Sequence, residues 1–327
     1  MAACFVCANA AGGPQTPPPV KRQPTDTPEQ MRVQEARWED PDGFVGRYQS
    51  ADGQWTVDVA VDYWKHAFYA KLRTGPTGEP PTALTADNFA DARVLVISGA
   101  DISGRLQNGK MTLNLPSAKD VELRRVPVGK TDFNPPAGAE VLLNAASGMK
   151  HFSNKDGGDP AWLVLPGGVI ESAPNRGSLY TRGRYEDAVL YFEFREPYNS
   201  REAGNSGAYL HSAYETQVID SFGWDLVENM CGTPYRIQAP KKNMSAPPLE
   251  WQSMKIDFTA PRFDAQGKKI QNARESVWLN GEQVADNVEV PHHTIKAYMP
   301  EPVGPQPIYF QEHHSAVQYR NIWVLKK

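Results

Sequence analysis

From Gly43 onward the chain is interrupted by Gly, Pro, Asn and Asp at intervals of about 8–12 residues, and between the breaks apolar residues alternate with polar ones. That period belongs to strands. Helical periodicity is nearly absent, with room only for a short turn near 139 to 145. So many short strands imply an all-β sandwich, jelly roll or barrel. Two hairpins are marked by their turns, Gln107-Asn108-Gly109-Lys110 and the Asn280-Gly281 step of "WLNGEQ", where adjacent positive-φ residues suit a two-residue loop.

Pro- and Gly-rich joints divide the chain. Residues 12–36 are too polar and proline-rich to bury a core and read as a disordered linker. Residues 37–127 carry strand-like pieces such as "GFVGRYQS", "QWTVDVAVD", "AFYAKLRTG" and "ARVLVISGAD", a small N-terminal β domain. "PVGKTDFNPPAGA" is a second joint, and from 140 to 327 strand signals recur to the end. The first eleven residues are small and apolar and contain Ala8-Asn9-Ala10, so they read as the remnant of a secretion signal, with a lipid-anchored cysteine as an alternative. Once that segment is removed only Cys231 remains, and an exported chain without an internal disulfide suits a bacterial periplasm or secretion.

The charge balance excludes some partners. The formal net charge is −4 and the basic residues are scattered, which argues against nucleic acid. The longest apolar runs fall far short of the roughly 20 residues of a membrane-spanning helix. Gly-rich "LPGGV" and "SGADISG" lack the pattern of a phosphate loop, and no nucleophile elbow is present. His292-His293 and His313-His314 are doublets whose members point to opposite faces of a regular strand, so neither chelates alone.

Alternation along three strands exposes polar rows. In "VLYFEFREP", Leu190, Phe192 and Phe194 share one face while Tyr191, Glu193 and Arg195 share the other. In "YETQVID", Glu215, Gln217 and Ile219 oppose Tyr214, Thr216 and Val218; in "YFQEHHS", Tyr309, Gln311 and His313 oppose Phe310, Glu312 and His314. Each row fits the solvated face of an antiparallel sheet. Glu, Gln, Arg and His in place of Lys, Ser and Thr also suit a surface that grips hydroxyl groups, with Tyr and Trp for stacking, so carbohydrate is the expected ligand class.

Residues 140–327 resemble the 3-keto-disaccharide hydrolase domain family through "GSLYTRGRYEDAVLYFEFR", "NSGAYLHSAYETQVIDS", "CGTPYRIQAP", "PPLEWQSMKIDFTAPRFD", "VWLNGEQVADN" and "FQEHHSAVQYRNIWV", in that order. The resemblance implies a concanavalin A-like jelly roll with a sugar site on its concave face. It implies cleavage of the glycosidic bond of a 3-keto-glycoside: the C3 ketone acidifies the C2 proton, a base removes it, and the C1 substituent leaves by elimination or net hydrolysis. Carried onto this chain, the motifs select Glu193 and Arg195, Asn205 and Ser206, Glu215, Gln217 and Asp220, and Gln311 with His313. His313 is the preferred base and Glu215 its rival. Arg195, with His211, would polarise the C3 oxygen, and Gln217, Asn205 and Gln311 would orient hydroxyls. His211 stands where relatives often carry arginine. No cofactor is required, and a divalent metal held by carboxylates and His313 is compatible with the pattern.

The rival reading is a non-catalytic carbohydrate-binding module, since jelly rolls host both. Irregular segments around Cys231–Pro240 and "NMSAPPLEW" favour an enzyme, because such loops wall a cleft. In the N-terminal domain Trp55, Tyr63, Trp64, His66, Phe68 and Tyr69 form an aromatic group that would fill a core, bind glycan or dock on the second domain.

Overall fold

The computed structural model describes residues 38–40, 42–75, 81–89, 93–172, 174–198, 202–294 and 301–327. The expected secretion remnant and the linker to residue 36 lie outside the described residues. All regular elements among them are strands. Antiparallel strands β1 (Gly46–Ser50) through β8 (Val121–Val126) close into a barrel as β8 returns to pair with β1. Tyr48, Val57, Val59, Leu95, Ile97, Leu106 and Leu123 fill its interior, as the alternation in "QWTVDVAVD" requires. Asp58, on the opposite face, binds Arg47 through Nε at 2.7 Å and also meets Arg73. Strand Thr82–Phe89 has no clear signal in the sequence: Thr-Ala-Leu-Thr-Ala-Asp-Asn-Phe is poor in β-formers, and pairing with both neighbours makes it a strand.

The second unit is a two-sheet sandwich. One sheet holds, in order, β10 (Phe152–Ser153), β13 (Leu179–Thr181), β22 (Tyr309–Phe310), β15 (Ser206–Leu210) and β16 (Tyr214–Val218). The other holds β11 (Leu163–Leu165), β12 (Val169–Glu171), β23 (Gln318–Lys326), β14 (Ala188–Arg195), β17 (Gln252–Thr259), β20 (Ala273–Leu279) and β21 (Glu282–Val290), with β9 (Glu140–Leu143) also on β23. A small ribbon, β18 (Arg262–Phe263) and β19 (Lys269–Gln271), lies apart. The architecture is the expected concanavalin A-like jelly-roll sandwich preceded by a small β domain. The segment near 139 to 145, where a short turn was expected, instead contains β9, drawn into the large sheet by β23.

Leu190, Phe192 and Phe194 point between the sheets and meet Phe310 and Tyr319, as their parity requires. Both marked hairpins form: Asn108 and Gly109 take φ of 51° and 72°, Asn280 and Gly281 take 54° and 81°.

Barrel and sandwich are packed against each other. Val45, Val61 and Tyr63 join the sandwich core, and Ala60, Val128, Phe222 and Ala246 form a smaller apolar cluster across the boundary. Tyr63 donates its hydroxyl to Asp220, Tyr69 to the Phe222 carbonyl, and Lys71 Nζ lies 2.7 Å from Asp225. The N-terminal aromatics therefore divide: Tyr63 and Tyr69 dock on the second domain, Phe68 packs on the apolar cores, and Trp64 stays exposed beside Trp224.

Candidate functional site

The outer face of the five-stranded sheet gathers the polar rows of β15, β16 and the chain leaving β22. Glu215 and Tyr209 face each other across the β15–β16 hairpin, and the Tyr209 hydroxyl donates to Glu215 Oε2 at 2.7 Å. Gln311 Nε2 donates to the same hydroxyl oxygen at 3.1 Å. Tyr309 stacks on Tyr209 at 4.1 Å and on Tyr180 at 4.9 Å, giving a run of three rings along the wall. Glu215, Gln217 and Gln311 are 2%, 3% and 2% exposed, so each sits in a defined environment rather than in free solvent. Burial and the adjoining carboxylate push the Tyr209 phenol far above its ordinary value, which keeps it a donor at neutral pH. Gly207, beside Glu215 on β15, is small for a local reason: a Cβ there would come within 2.6 Å of Glu215 Oε1.

The wall is fastened from behind. Tyr214 and Val218 enter the core, while the Thr216 hydroxyl donates to Glu275 Oε2 at 2.9 Å, joining β16 to β20 of the other sheet. Ser206 accepts from the Tyr319 hydroxyl at 2.7 Å and donates to the Gln311 carbonyl at 2.6 Å. The strand ends that carry Glu215 and Gln311 are thereby tied to the large sheet.

Several expected site residues lie elsewhere. Glu193 and Arg195 do not share the face of Glu215: β14 belongs to the eight-stranded sheet, and its polar row points outward on the far side of the sandwich. There Glu193 accepts from Arg320 Nε at 2.7 Å, Asn321 Nδ2 at 3.1 Å and the Tyr191 hydroxyl at 3.1 Å. Arg195 donates to Gln318 Oε1 at 2.7 Å and lies over the Trp38 and Trp251 rings. His211 and Ser212 take φ of 54° and 56° in the β15–β16 turn. That turn carries the imidazole toward Tyr214 and Phe258 at the end of the core, with Nε2 2.7 Å from the Gly304 carbonyl. Ser206 faces inward. Asn205 stands before β15, its amide bonded to the Glu202 carbonyl. Gln217 remains on the wall, Oε1 accepting from the Val218 amide, and His313 follows Gln311 by two residues on the chain leaving β22. Among the described residues no three His, Cys, Asp or Glu side chains converge as metal ligands.

Asp220 is at the domain boundary, against Tyr63. Burial there raises its carboxyl to about 7, and burial raises Glu275 to about 8. Both bind a proton more tightly in the folded chain than in the unfolded one. Their contribution to stability is therefore fully present below pH 3.8 and 4.5 and is lost as pH rises through about 7 and 8. His211, lowered by burial, acts in the opposite sense below pH 6.5. Thermal unfolding should show this loss of stability between about pH 5 and pH 8. Asp220→Asn and Glu275→Gln should each flatten the profile, and an unchanged slope in both variants would contradict the assignment.

Tyr209 and Gly207 went unnoticed in the sequence, although both lie inside the family-like motif. Their signal was parity: Gly207 and Tyr209 oppose Ser206, Ala208 and Leu210 on β15, the same face that Glu215 takes on β16.

Comparison with known proteins agrees with this architecture. The family described as 3-keto-alpha-glucoside-1,2-lyase-like domain matches residues 138–325, more than half of the chain, and the barrel lies outside the match. Among solved structures, a candidate glycosyl hydrolase from Parabacteroides distasonis is 27% identical, with a TM-score of 0.54 over 59% of this chain and 85% of that one. A second from the same organism is 19% identical with a TM-score of 0.45, over 58% of this chain and 94% of the other. No curated protein matches the sequence.

Proposed function

The chain belongs to the 3-keto-alpha-glucoside-1,2-lyase-like domain family, and from that premise we propose that its sandwich cleaves 3-keto-glycosides at the wall built by Tyr209, Glu215, Gln217 and Gln311. The family and the glycosyl hydrolase neighbour support action on carbohydrate. The observation that carries the finer reading is the hydrogen-bonded series Gln311–Tyr209–Glu215, because it holds one carboxylate in a set orientation on the face where the family-like motifs meet.

In this reading a 3-keto-glycoside meets the wall through Gln217 and Gln311, bonded to its hydroxyls. Glu215 takes the C2 proton. The electron pair of that C–H bond forms an enolate on the C3 oxygen; as the ketone reforms, a C1–C2 double bond appears and the C1–O bond breaks. His313 supplies a proton to the departing oxygen. Water added across C1–C2 gives the free 3-keto sugar, and without it the unsaturated ketone is released. Tyr209 keeps its proton and positions the carboxylate. Glu215 replaces His313 as the favoured base because the sheet fastens it to Tyr209 and sets it against Gly207. Arg195 and His211 take no part.

The test is incubation of the protein with methyl 3-keto-α-glucoside and with methyl α-glucoside, following release of methanol. Cleavage of the keto compound alone is the expected result. Binding of both without cleavage of either would return the sandwich to the class of non-catalytic carbohydrate modules.

A further inference from the structure

On the outer face of the eight-stranded sheet, opposite the Glu215 wall, lies a cleft of about 690 Å³. Its floor is one row across four strands. Trp323 of β23, Tyr191 of β14, Lys255 of β17 and Trp278 of β20 are successive cross-strand partners. Trp323 and Tyr191 stack nearly parallel, 5.5 Å apart and inclined by 6°, and Lys255 Nζ lies 4.0 Å from the centre of the Trp278 ring. Lys130, Thr131, Asp132 and Asn134 line the cleft from the segment that joins barrel to sandwich.

That segment is fastened at two points. The Lys130 amide donates to Asn280 Oδ1 at 2.9 Å, in the turn before β21, and the Asp132 amide donates to the Tyr191 hydroxyl at 2.9 Å. The cleft is therefore preformed, and its size is that of a small-molecule site. Its floor lies within the residues shared with the family, whereas the joining segment precedes them. The cleft arises from the way this chain attaches its barrel.

One donor in the floor lacks an acceptor. Lys255 has no hydrogen bond or ion pair among the described residues, only its contact with Trp278. A ligand that satisfies this floor brings a carboxylate for the ammonium. Asp132, Asn134 and Ser253 at the margins suit hydroxyl groups rather than an apolar acid. We propose that this cleft is a second carbohydrate site, selective for a pyranose bearing a carboxylate, a uronic acid residue, with that carboxylate on Lys255 and its hydroxyls toward the joining segment. The site is separate from the 3-keto-glycoside wall and does not depend on that reading.

The experiment titrates the full chain with methyl β-glucuronide and methyl β-glucoside, read by calorimetry and by tryptophan fluorescence, since Trp278 and Trp323 line the cleft. Saturable glucuronide binding is expected, about tenfold or more tighter than the glucoside and weakened by added salt. Lys255→Met should weaken it about tenfold. Lys130→Ala, at an exposed position and so without risk to the floor, should weaken it by about threefold. Turnover at the opposite face should be unchanged in both variants. Equal affinity for the two glycosides, glucuronide affinity untouched by both lysine variants, or phenylacetate binding as tightly as the glucuronide would each overturn the assignment.

Discussion

Glu215→Gln should lower turnover of a 3-keto-glycoside by about 10²–10⁴-fold with little change in KM, because the amide keeps the shape and the hydrogen bond from Tyr209 but cannot accept the C2 proton. Gly207→Ala makes a stricter companion. The added methyl would meet Glu215 Oε1 at 2.6 Å, the end of a flexible side chain, so the fold should tolerate it while the carboxylate is displaced. We expect a loss of about tenfold or more in kcat with a stability loss of about 1–3 kcal/mol, since the buried carboxylate is pushed from its bond with Tyr209. Steady-state kinetics beside thermal unfolding decides the matter, and full activity in Glu215→Gln would remove Glu215 from the role of base. His313→Ala offers a finer distinction: its defect should shrink for a 3-keto-glycoside with a nitrophenol leaving group, which departs without a proton.

The second large effect is on stability. Glu193 is almost fully buried and takes donors from Arg320, Asn321 and Tyr191, tying β14 to β23 at the point where their register shifts. Glu193→Ala should cost about 2–4 kcal/mol, since three donors lose their acceptor and the Arg320 guanidinium keeps only the Trp251 ring at 4.1 Å. Glu193→Gln should cost about half as much. In denaturant titrations the midpoint should fall while activity per folded molecule stays within about twofold. A collapse of activity at unchanged stability would mean that Glu193 belongs to the site after all.

The "EFR" and closing "YRNIW" motifs thus make sense together. Glu193 and Arg320 are ion-pair partners 127 residues apart, and their pairing joins β14 to β23.

This pair also shows where reading the sequence reaches its limit. Alternation told correctly which residues of β14, β16 and β22 face the core and which face outward. It could not tell that β14 lies in one sheet and β16 with β22 in the other, because the outer faces of both sheets produce the same period. Sheet membership depends on pairing partners, and β14 is claimed by β17 and β23. His211 was misplaced for a local reason: Leu210-His211-Ser212-Ala213 contains no Gly or Asn to announce a turn with two positive φ angles, yet the short hairpin imposes one. Asp220 was misplaced for a distant reason, its partner Tyr63 being 157 residues away in the barrel. For Glu215 and Gln217 one strand, its parity and its motif agree, and both stand on the face away from the core.

The five-stranded sheet has one further property. Its middle strand, β22, is only the pair Tyr309–Phe310, matched to Leu179 and Tyr180 on one side and to Ala208 and Tyr209 on the other, whereas the long central strands of the other sheet run for seven to nine residues. Backbone bonds continue on either side of it: the Thr181 amide donates to the Ile308 carbonyl, the Gln311 amide to the Gly207 carbonyl, and Tyr185 and Gln306 exchange a pair. Tyr309 and Phe310 are 1% and 0% exposed, so side-chain packing holds this short strand as firmly as a long ladder would, and its amides should exchange as slowly as those of the larger sheet.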